Sequence, residues 1–320
     1  MKAVQFTEHG EADVLQLVDV PAPEPKAGEV LIKVAAAGVN YADVLQRKGT
    51  YPLPVTLPYV AGYEVAGRVE SLGEGVTNLS VGQRVMAMVP SGGYAEYAVA
   101  PAAQAIPLPD ELGDAEATAL LVQGLTAMGL FRTGQYDSLL VLAAAGGVGS
   151  VLVQIGKNEG KQVIAAVGSD AKKQQALDLG ADVAVSYRNA GHADADWVQQ
   201  VRDATNGKGV SASFDAIGGQ VGADALKTLA FGGTGVVFGA ASGEPTMLAA
   251  QQLVGQLQGL RGYSLFGETA KFGEYAGQLF GYLQAGKLKL PLQTYSIDDV
   301  QTAHRDMESR RTQGKVALLF

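Results

Sequence analysis

The stretch "VLAAAGGVGSVLVQIGK", residues Val141–Lys157, decides how this chain folds. An apolar run meets three glycines, Gly146, Gly147 and Gly149, and apolar spacing then resumes. Val148, Val151, Leu152 and Ile155 recur at i, i+3, i+4 and i+7, which predicts a helix with one apolar face. Before the glycines, "SLLVLAA" (138–144) reads as a buried strand. Glycines at a strand-to-helix junction make either a tight turn alone or a phosphate cradle. The second works because the first turn of a helix has free N–H groups and the positive end of its dipole.

The surroundings repeat the alternation. "KQVIAAV" (161–167) is a second strand, and "DAKKQQALDLG" (170–180) a helix closed by Gly180. "DVAVSY" (182–187) is a third strand, followed by a helix with Trp197, Val198 and Val201 on one side. "VSASFDAIGG" (210–219) and "GTGVVFGAASG" (233–243) are two more strands. This predicts an α/β unit with a parallel sheet covered on both faces. Ahead of it, "KAVQF", "VLIKVAAAGV", "EVAGRVESLG", "GQRVMAMV" and "GGYAEYAVA" predict an antiparallel or barrel-like β domain. "DAEATALLVQGLTAMGLF" (114–131) reads as one helix with Asp114 as its N-cap. Beyond Gly262 come a helix near Tyr275–Ala285 and a last strand in "KVALLF", read as returning to the β domain. The expected division is 1–122 with 263–320, and 123–262 inserted between them.

Composition narrows the function. A chain of 320 residues exceeds what one core supports, about 250–300. Glycine, at 42 residues, is nearly twice its usual share of about 7%, which fits many turns and close backbone approaches. The net charge of −8 argues against a nucleic-acid-binding face. No uninterrupted apolar run reaches about 18 residues, so no membrane span is expected. "MKAVQFTEHG" lacks the apolar core of a secretory signal. The chain has no cysteine, which excludes disulfides and thiolate metal sites and agrees with a cytoplasmic location.

The glycines read A-x-G-x-x-G over Ala144, Gly146 and Gly149, against the G-x-G-x-x-G of dinucleotide sites. Gly146 and Gly147, with Val148 beside them, let the backbone approach a pyrophosphate, and Gly149 lets the helix close on the strand. Ala144 serves for the first glycine if φ stays negative there. An NAD site carries Asp or Glu about 20 residues further on, for the ribose diol. Here "AAVGSDAKK" places Gly168 and Ser169 in that turn, with Lys172 and Lys173 one helical turn later. A hydroxyl with ammonium groups suits a 2′-phosphate, so NADPH is expected over NADH, with either lysine able to serve. Asp170 reads as the N-cap of its helix. The G-x-x-x-x-G-K-[ST] spacing of a nucleotide triphosphatase is missing.

Seven segments in order, "GVNYADVLQRKGTYP", "GYEVAGRVESLGEGV", "GGYAEYAV", "QGLTA", "AAAGGVGS", "FDAIGG" and "ESRRTQGK", resemble the medium-chain dehydrogenase/reductases. The specific resemblance is to their zinc-free quinone oxidoreductase branch, which includes zeta-crystallin. It spans essentially the whole chain. It implies a Rossmann doubly wound sheet inserted into a GroES-like β-barrel domain, with the active site in the cleft between them and NADPH as cofactor. By position, it gives the 2′-phosphate to Ser169 and Lys172, with Tyr187 and Arg310 at the same end. Thr126 takes the carboxamide, Asn40 faces the nicotinamide and substrate, and Phe238, Gly239, Ala240 and Phe266 line the nicotinamide half. Dimers through the Rossmann domain, or a tetramer, are implied too. Asp43 and Asp215 read as structural. Leu45 departs from relatives that carry an aromatic there.

Zinc-dependent relatives place Cys and His where this chain has Val39–Asn40 and Tyr63, so no metal is expected. His9, His192 and His304 lie far apart; His192 has no expected role, and His304 reads as a helix-surface group or one making a local hydrogen bond. Without a Lewis acid, the expected acceptors take hydride unaided: a quinone, or the C=C bond of an enone or alkenal. Asn40, Tyr51 and Tyr63 would donate hydrogen bonds to the acceptor, and the proton comes from a tyrosine or from water. A non-catalytic, NADPH-binding crystallin-like protein is the reading from a different class.

Overall fold

A computed structural model describes residues 1–187 and 197–320. The chain divides into two units, one of Met1–Gln123, Thr269–Phe280 and Leu290–Phe320, the other of Gly124–Glu268 and Gly281–Lys289. The first begins with β1 (Lys2–Phe6), β2 (Gln16–Asp19) and β3 (Glu29–Val39). After α1 (Tyr41–Lys48) come β4 (Tyr59–Val60), β5 (Glu64–Leu72), β6 (Arg84–Met88), β7 (Tyr97–Pro101) and β8 (Ile106–Pro107), then α2 (Asp114–Thr118). In β3, Val30, Ile32 and Val34 point inward and Lys33 outward, the two-residue period of a half-buried strand.

The expected single helix over 114–131 is interrupted. Between α2 and α3 (Leu125–Phe131) runs a π-helical segment, Ala119–Gly124. The N-cap of α2 is Gly113, not Asp114, and the Glu116 carboxylate accepts the Gly113 N–H at 3.0 Å. Asp114 instead takes the Arg84 guanidinium at 2.7 Å.

In the second unit follow β9 (Ser138–Leu142), α4 (Gly147–Asn158), β10 (Gln162–Val167), α5 (Lys173–Asp178), β11 (Val183–Ser186), α6 (Trp197–Ala204), β12 (Val210–Asp215), α7 (Gly219–Leu226), β13 (Leu229–Val237) and β14 (Gly259–Gly262). All six strands are parallel, in the order β11-β10-β9-β12-β13-β14. The winding reverses between β9 and β12, the kind of switch point at whose carboxyl ends open α/β sheets bind ligands. The helix α4 is buried from Gly149 to Gly156 on every side, not along one face as its periodicity predicted; Val148 is half-buried. Edge strand β14 carried no signal in the sequence.

The tail supplies α8 (Phe272–Gln284), β15 (Leu292–Ser296), α9 (Val300–Glu308) and β16 (Lys315–Leu319). Strand β16 pairs antiparallel with β3, completing a sheet ordered β15-β16-β3-β5-β6-β8, with β7 also on β3. A second sheet, β2-β1-β4, is antiparallel. Val30, Ile32, Val65, Val85, Val316 and Leu318 meet in this unit's core.

Candidate active site

The glycine cluster stands at the carboxyl end of β9. Gly146 is the N-cap of α4, with φ −85° and ψ −179°, and its own N–H is taken by the Ala143 carbonyl at 2.8 Å. Gly147, Val148 and Gly149 form the first turn, whose N–H groups have no carbonyl a turn earlier to meet. A Cβ on Gly149 would strike the Ala143 carbonyl and lie 2.7 Å from the Ala144 Cα. Glycine there is what lets the helix seat on the strand end. The turn's positive φ, 50°, falls on Ala143, and Ala144 avoids that region.

Because the strands are parallel, the following ones end on the same edge. Ser169 caps a 3₁₀ turn, Asp170–Lys172, that leads into α5. Asp170 is therefore inside the turn and not the N-cap; its carboxylate pairs with Lys173 at 2.6 Å. Next to Ser169, a Cβ on Gly168 would lie 3.3 Å from the Tyr187 hydroxyl, and the Lys172 N–H donates to the Ser169 carbonyl at 3.0 Å. Ser169, Lys172 and Tyr187 are thus brought together. Phe238, Gly239 and Ala240 follow β13 beside the end of β12, the Phe238 N–H donating to the Asp215 carbonyl at 2.9 Å. The Asp215 carboxylate is consumed by the Ile217 and Gly218 N–H groups and Thr246. Thr126 is buried in α3, and Phe266 is exposed. Arg310 belongs to the other unit; it is exposed, with φ 60°, while Arg311 holds Asp306 at 2.6 Å.

In the first unit, a polar centre gathers around Asn40. Its Nδ2 donates to Glu64 Oε2 at 2.8 Å, and its Oδ1 accepts from Lys315 Nζ at 3.0 Å. Lys315 and Glu64 form a fully buried ion pair. The other Glu64 oxygen accepts the Val122 N–H at 2.7 Å. The wide π turn accounts for that donor, since it takes Val122 out of the α-helical ladder. Gly38 of β3 makes room for the pair: a Cβ there would strike Glu64 and lie 2.7 Å from Lys315 Cε.

Asp43, the third residue of α1, accepts the Asn40 N–H at 2.8 Å and is 3% exposed. Burial pushes its carboxyl up to about 7, against the pull of the Asn40 N–H and Lys315. Tyr51 and Tyr63 are partly buried, and each is raised first by burial and then by Asp43. His304 overturns its expected surface place. It is fully buried, its ring edge-on to Tyr94 with Nε2 3.3 Å from the hydroxyl, and burial lowers it to about 3. His192 lies outside the described residues.

Sequence reasoning missed Glu64, Lys315, Tyr94 and His304 as one cluster. The available signal was a charge at the mouth of two apolar strands, in "GYEVAG" and "GKVALL". Among the described residues, no group of three or more His, Cys, Asp or Glu is placed to hold a metal, and no helix is long and apolar enough to cross a membrane.

Residues 26–110 match the family model of the alcohol dehydrogenase GroES-like domain, and 147–279 that of the zinc-binding dehydrogenases. A probable quinone oxidoreductase of Schizosaccharomyces pombe is 36% identical, over 99% of this chain and 96% of its own. The Escherichia coli quinone oxidoreductase complexed with NADPH superposes with a TM-score of 0.93 at 31% identity, over 100% of both chains. A mycobacterial protein complexed with NADPH gives 0.92 at 38% identity, again over 100% of both.

Proposed function

Because this chain belongs to the quinone oxidoreductase family of the medium-chain dehydrogenase/reductases, we propose that it is an NADPH-dependent quinone reductase working without zinc. The observation that carries this is the strand edge holding the α4 amides and, at the next strand, a hydroxyl and an ammonium in place of a ribose-binding carboxylate. These residues fit the cofactor: the α4 amides suit its diphosphate. Ser169 and Lys172, with Tyr187 and Arg310, suit its 2′-phosphate. Thr126, Phe238, Gly239, Ala240 and Phe266 are assigned to its nicotinamide half. When bound, NADPH supplies the hydride.

The protein's own share is orientation and protons. Lys315 and Glu64 fix the Asn40 amide, so its second N–H is aimed by the network rather than free to rotate. That N–H, with the Tyr51 and Tyr63 hydroxyls, holds the acceptor oxygen and stabilises the negative charge that hydride addition leaves there. Tyr63 occupies the position of a metal ligand in zinc-dependent relatives, which supports activation by hydrogen bonds alone. The absence of cysteine supports a cytoplasmic location, and the acidity of the chain supports a small-molecule partner over nucleic acid. A homodimer or homotetramer completes the reading.

Steady-state rates with NADPH and a panel of benzoquinones, naphthoquinones and alkenals test it. Turnover concentrated on quinones is expected. Turnover on alkenals alone would make the protein a C=C reductase. Tight NADPH binding with no turnover would make it a crystallin-like binder.

A further inference from the structure

An asparagine amide can lie either way round, because turning it over exchanges its oxygen and its nitrogen. At Asn40 two neighbours remove that freedom. The Lys315 ammonium has hydrogens to give and no lone pair to offer, and it meets Oδ1 at 3.0 Å. The Glu64 carboxylate offers lone pairs only, and it meets Nδ2 at 2.8 Å. A reversed amide would set N–H against ammonium and oxygen against carboxylate. All three side chains are buried, where such mismatches are most costly. The carboxylate cannot turn to relieve them. Its other oxygen, Oε1, accepts the Val122 N–H at 2.7 Å, a donor that the π turn takes out of the helical ladder. Glu64 thus takes N–H donors from Asn40, Lys315 and Val122, and its ion pair with Lys315 closes a triangle on Asn40.

We propose that Glu64 and Lys315 are positioning residues that lock the polarity of the Asn40 amide, so that the site offers a hydrogen-bond donor and selects a carbonyl oxygen over a hydroxyl. This rests on the quinone reductase reading, in which the second Asn40 N–H faces the acceptor, and extends it to a rule of substrate class. Nδ2 carries two hydrogens and Glu64 uses one, so what Asn40 has left to present is an N–H. A carbonyl oxygen takes that N–H on a lone pair, and the anion formed by hydride addition takes it more strongly. A hydroxyl oxygen is a weaker acceptor, and its own proton finds no acceptor on Asn40. The lock therefore favours the oxidised acceptor and its anion over the reduced, protonated product, which eases product release. With the amide reversed, Oδ1 would take the product's O–H and hold it.

The test compares a ketone with the alcohol of the same skeleton. Tetralone and tetralol are titrated calorimetrically into the protein saturated with NADP⁺, a readout that needs no turnover. The wild type should bind the ketone about tenfold more tightly, the worth of one mismatched hydrogen bond. Glu64→Gln combined with Lys315→Met removes both charges together, so no unpaired ion is buried. The new amide has one acceptor oxygen, which the Val122 N–H claims, and it turns an NH₂ toward Asn40. Asn40 is then free to reverse, and the preference for the ketone should disappear. A cooperative unfolding transition in the variant separates this loss from misfolding. A folded double variant that keeps the wild-type preference overturns the lock, as does a wild type that binds the two ligands alike or binds neither. Should the double variant not fold, Gly38→Ala decides. Its Cβ displaces Glu64 Oε2 and Lys315 Cε, the ends of flexible side chains, and leaves every hydrogen-bonding group in the chain. The preference should fall there too, and an unchanged one overturns the proposal. Naphthoquinone turnover with NADPH is followed in parallel. Turnover with an unchanged preference in the variants removes the lock and leaves the quinone reductase reading standing. No turnover with any quinone removes that reading, and the binding preference still decides the lock.

Discussion

The carboxyl edge of the second unit and the polar centre of the first are built by opposite means. The edge uses backbone amides at one helix start, so its parts lie within a few residues, Gly146 to Gly149. The centre uses side chains from α1, β5, β16, α9 and the segment before β7, with Asn40 and Lys315 275 residues apart. Backbone sites are cheap to build and dock an incoming anion. Side-chain centres demand that every buried charge find a partner, and in return they fix the orientation of groups such as the Asn40 amide.

The contrast is broken most severely at the buried pair. Glu64→Ala leaves the Lys315 ammonium buried without its carboxylate. Chemical unfolding is expected to show a loss of about 3–5 kcal/mol, the usual penalty for removing one partner of such a pair. Replacing both by Gln and Met should recover much of it.

Asp43 sharpens the contrast through pH. Burial raises its folded-state pKa to about 7, so its contribution to stability is full below about 4 and is lost as pH rises through 7. His304, lowered to about 3, has the opposite sign: stability grows as pH rises from 3 toward 6.5. The two oppose each other in the wild type. Asp43→Asn leaves His304 alone, so melting curves should show the variant gaining on the wild type between pH 4 and 7. The gain should reach a few kcal/mol, since each tenfold difference in proton affinity between the folded and unfolded chain is worth about 1.4 kcal/mol.

At the backbone edge the effects are smaller and local. Gly149→Ala drives a Cβ into the Ala143 carbonyl, a backbone atom that cannot swing away. A loss of about 1–3 kcal/mol in stability is expected, together with weakened nucleotide binding. Gly146→Ala, whose Cβ would sit 3.2 Å from the same carbonyl, should fold with little loss yet still weaken the nucleotide. Lys172→Ala is the mildest: NADPH binding should weaken about tenfold, near 1.4 kcal/mol, with NADH unchanged in a fluorescence titration.

The same contrast explains what the sequence revealed. Strand β1 coincides with "KAVQF", and the β9–α4 junction was readable because its glycines, apolar run and helical spacing are contiguous. The parallel alternation followed from rhythm alone. The π turn at Ala119–Gly124 was invisible because an α-helical pattern runs straight through it; only the Glu64 carboxylate waiting for the Val122 N–H shows what it is for. His304 looked like a surface residue because its neighbours in sequence, Arg305 and Asp306, are polar. Its burial depends on Tyr94, 210 residues earlier. Asp170 resembled a cap because it begins an acidic-then-basic run, yet the turn starts one residue sooner, at Ser169.

The most direct test of the account is calorimetric titration of the protein with NADPH and with NADH under one set of conditions. On the proposed assignment, in which the α4 amides serve either diphosphate and Ser169 and Lys172 only the phosphorylated ribose, NADPH should bind at least about tenfold more tightly. Equal affinities, or no binding of either, would contradict it.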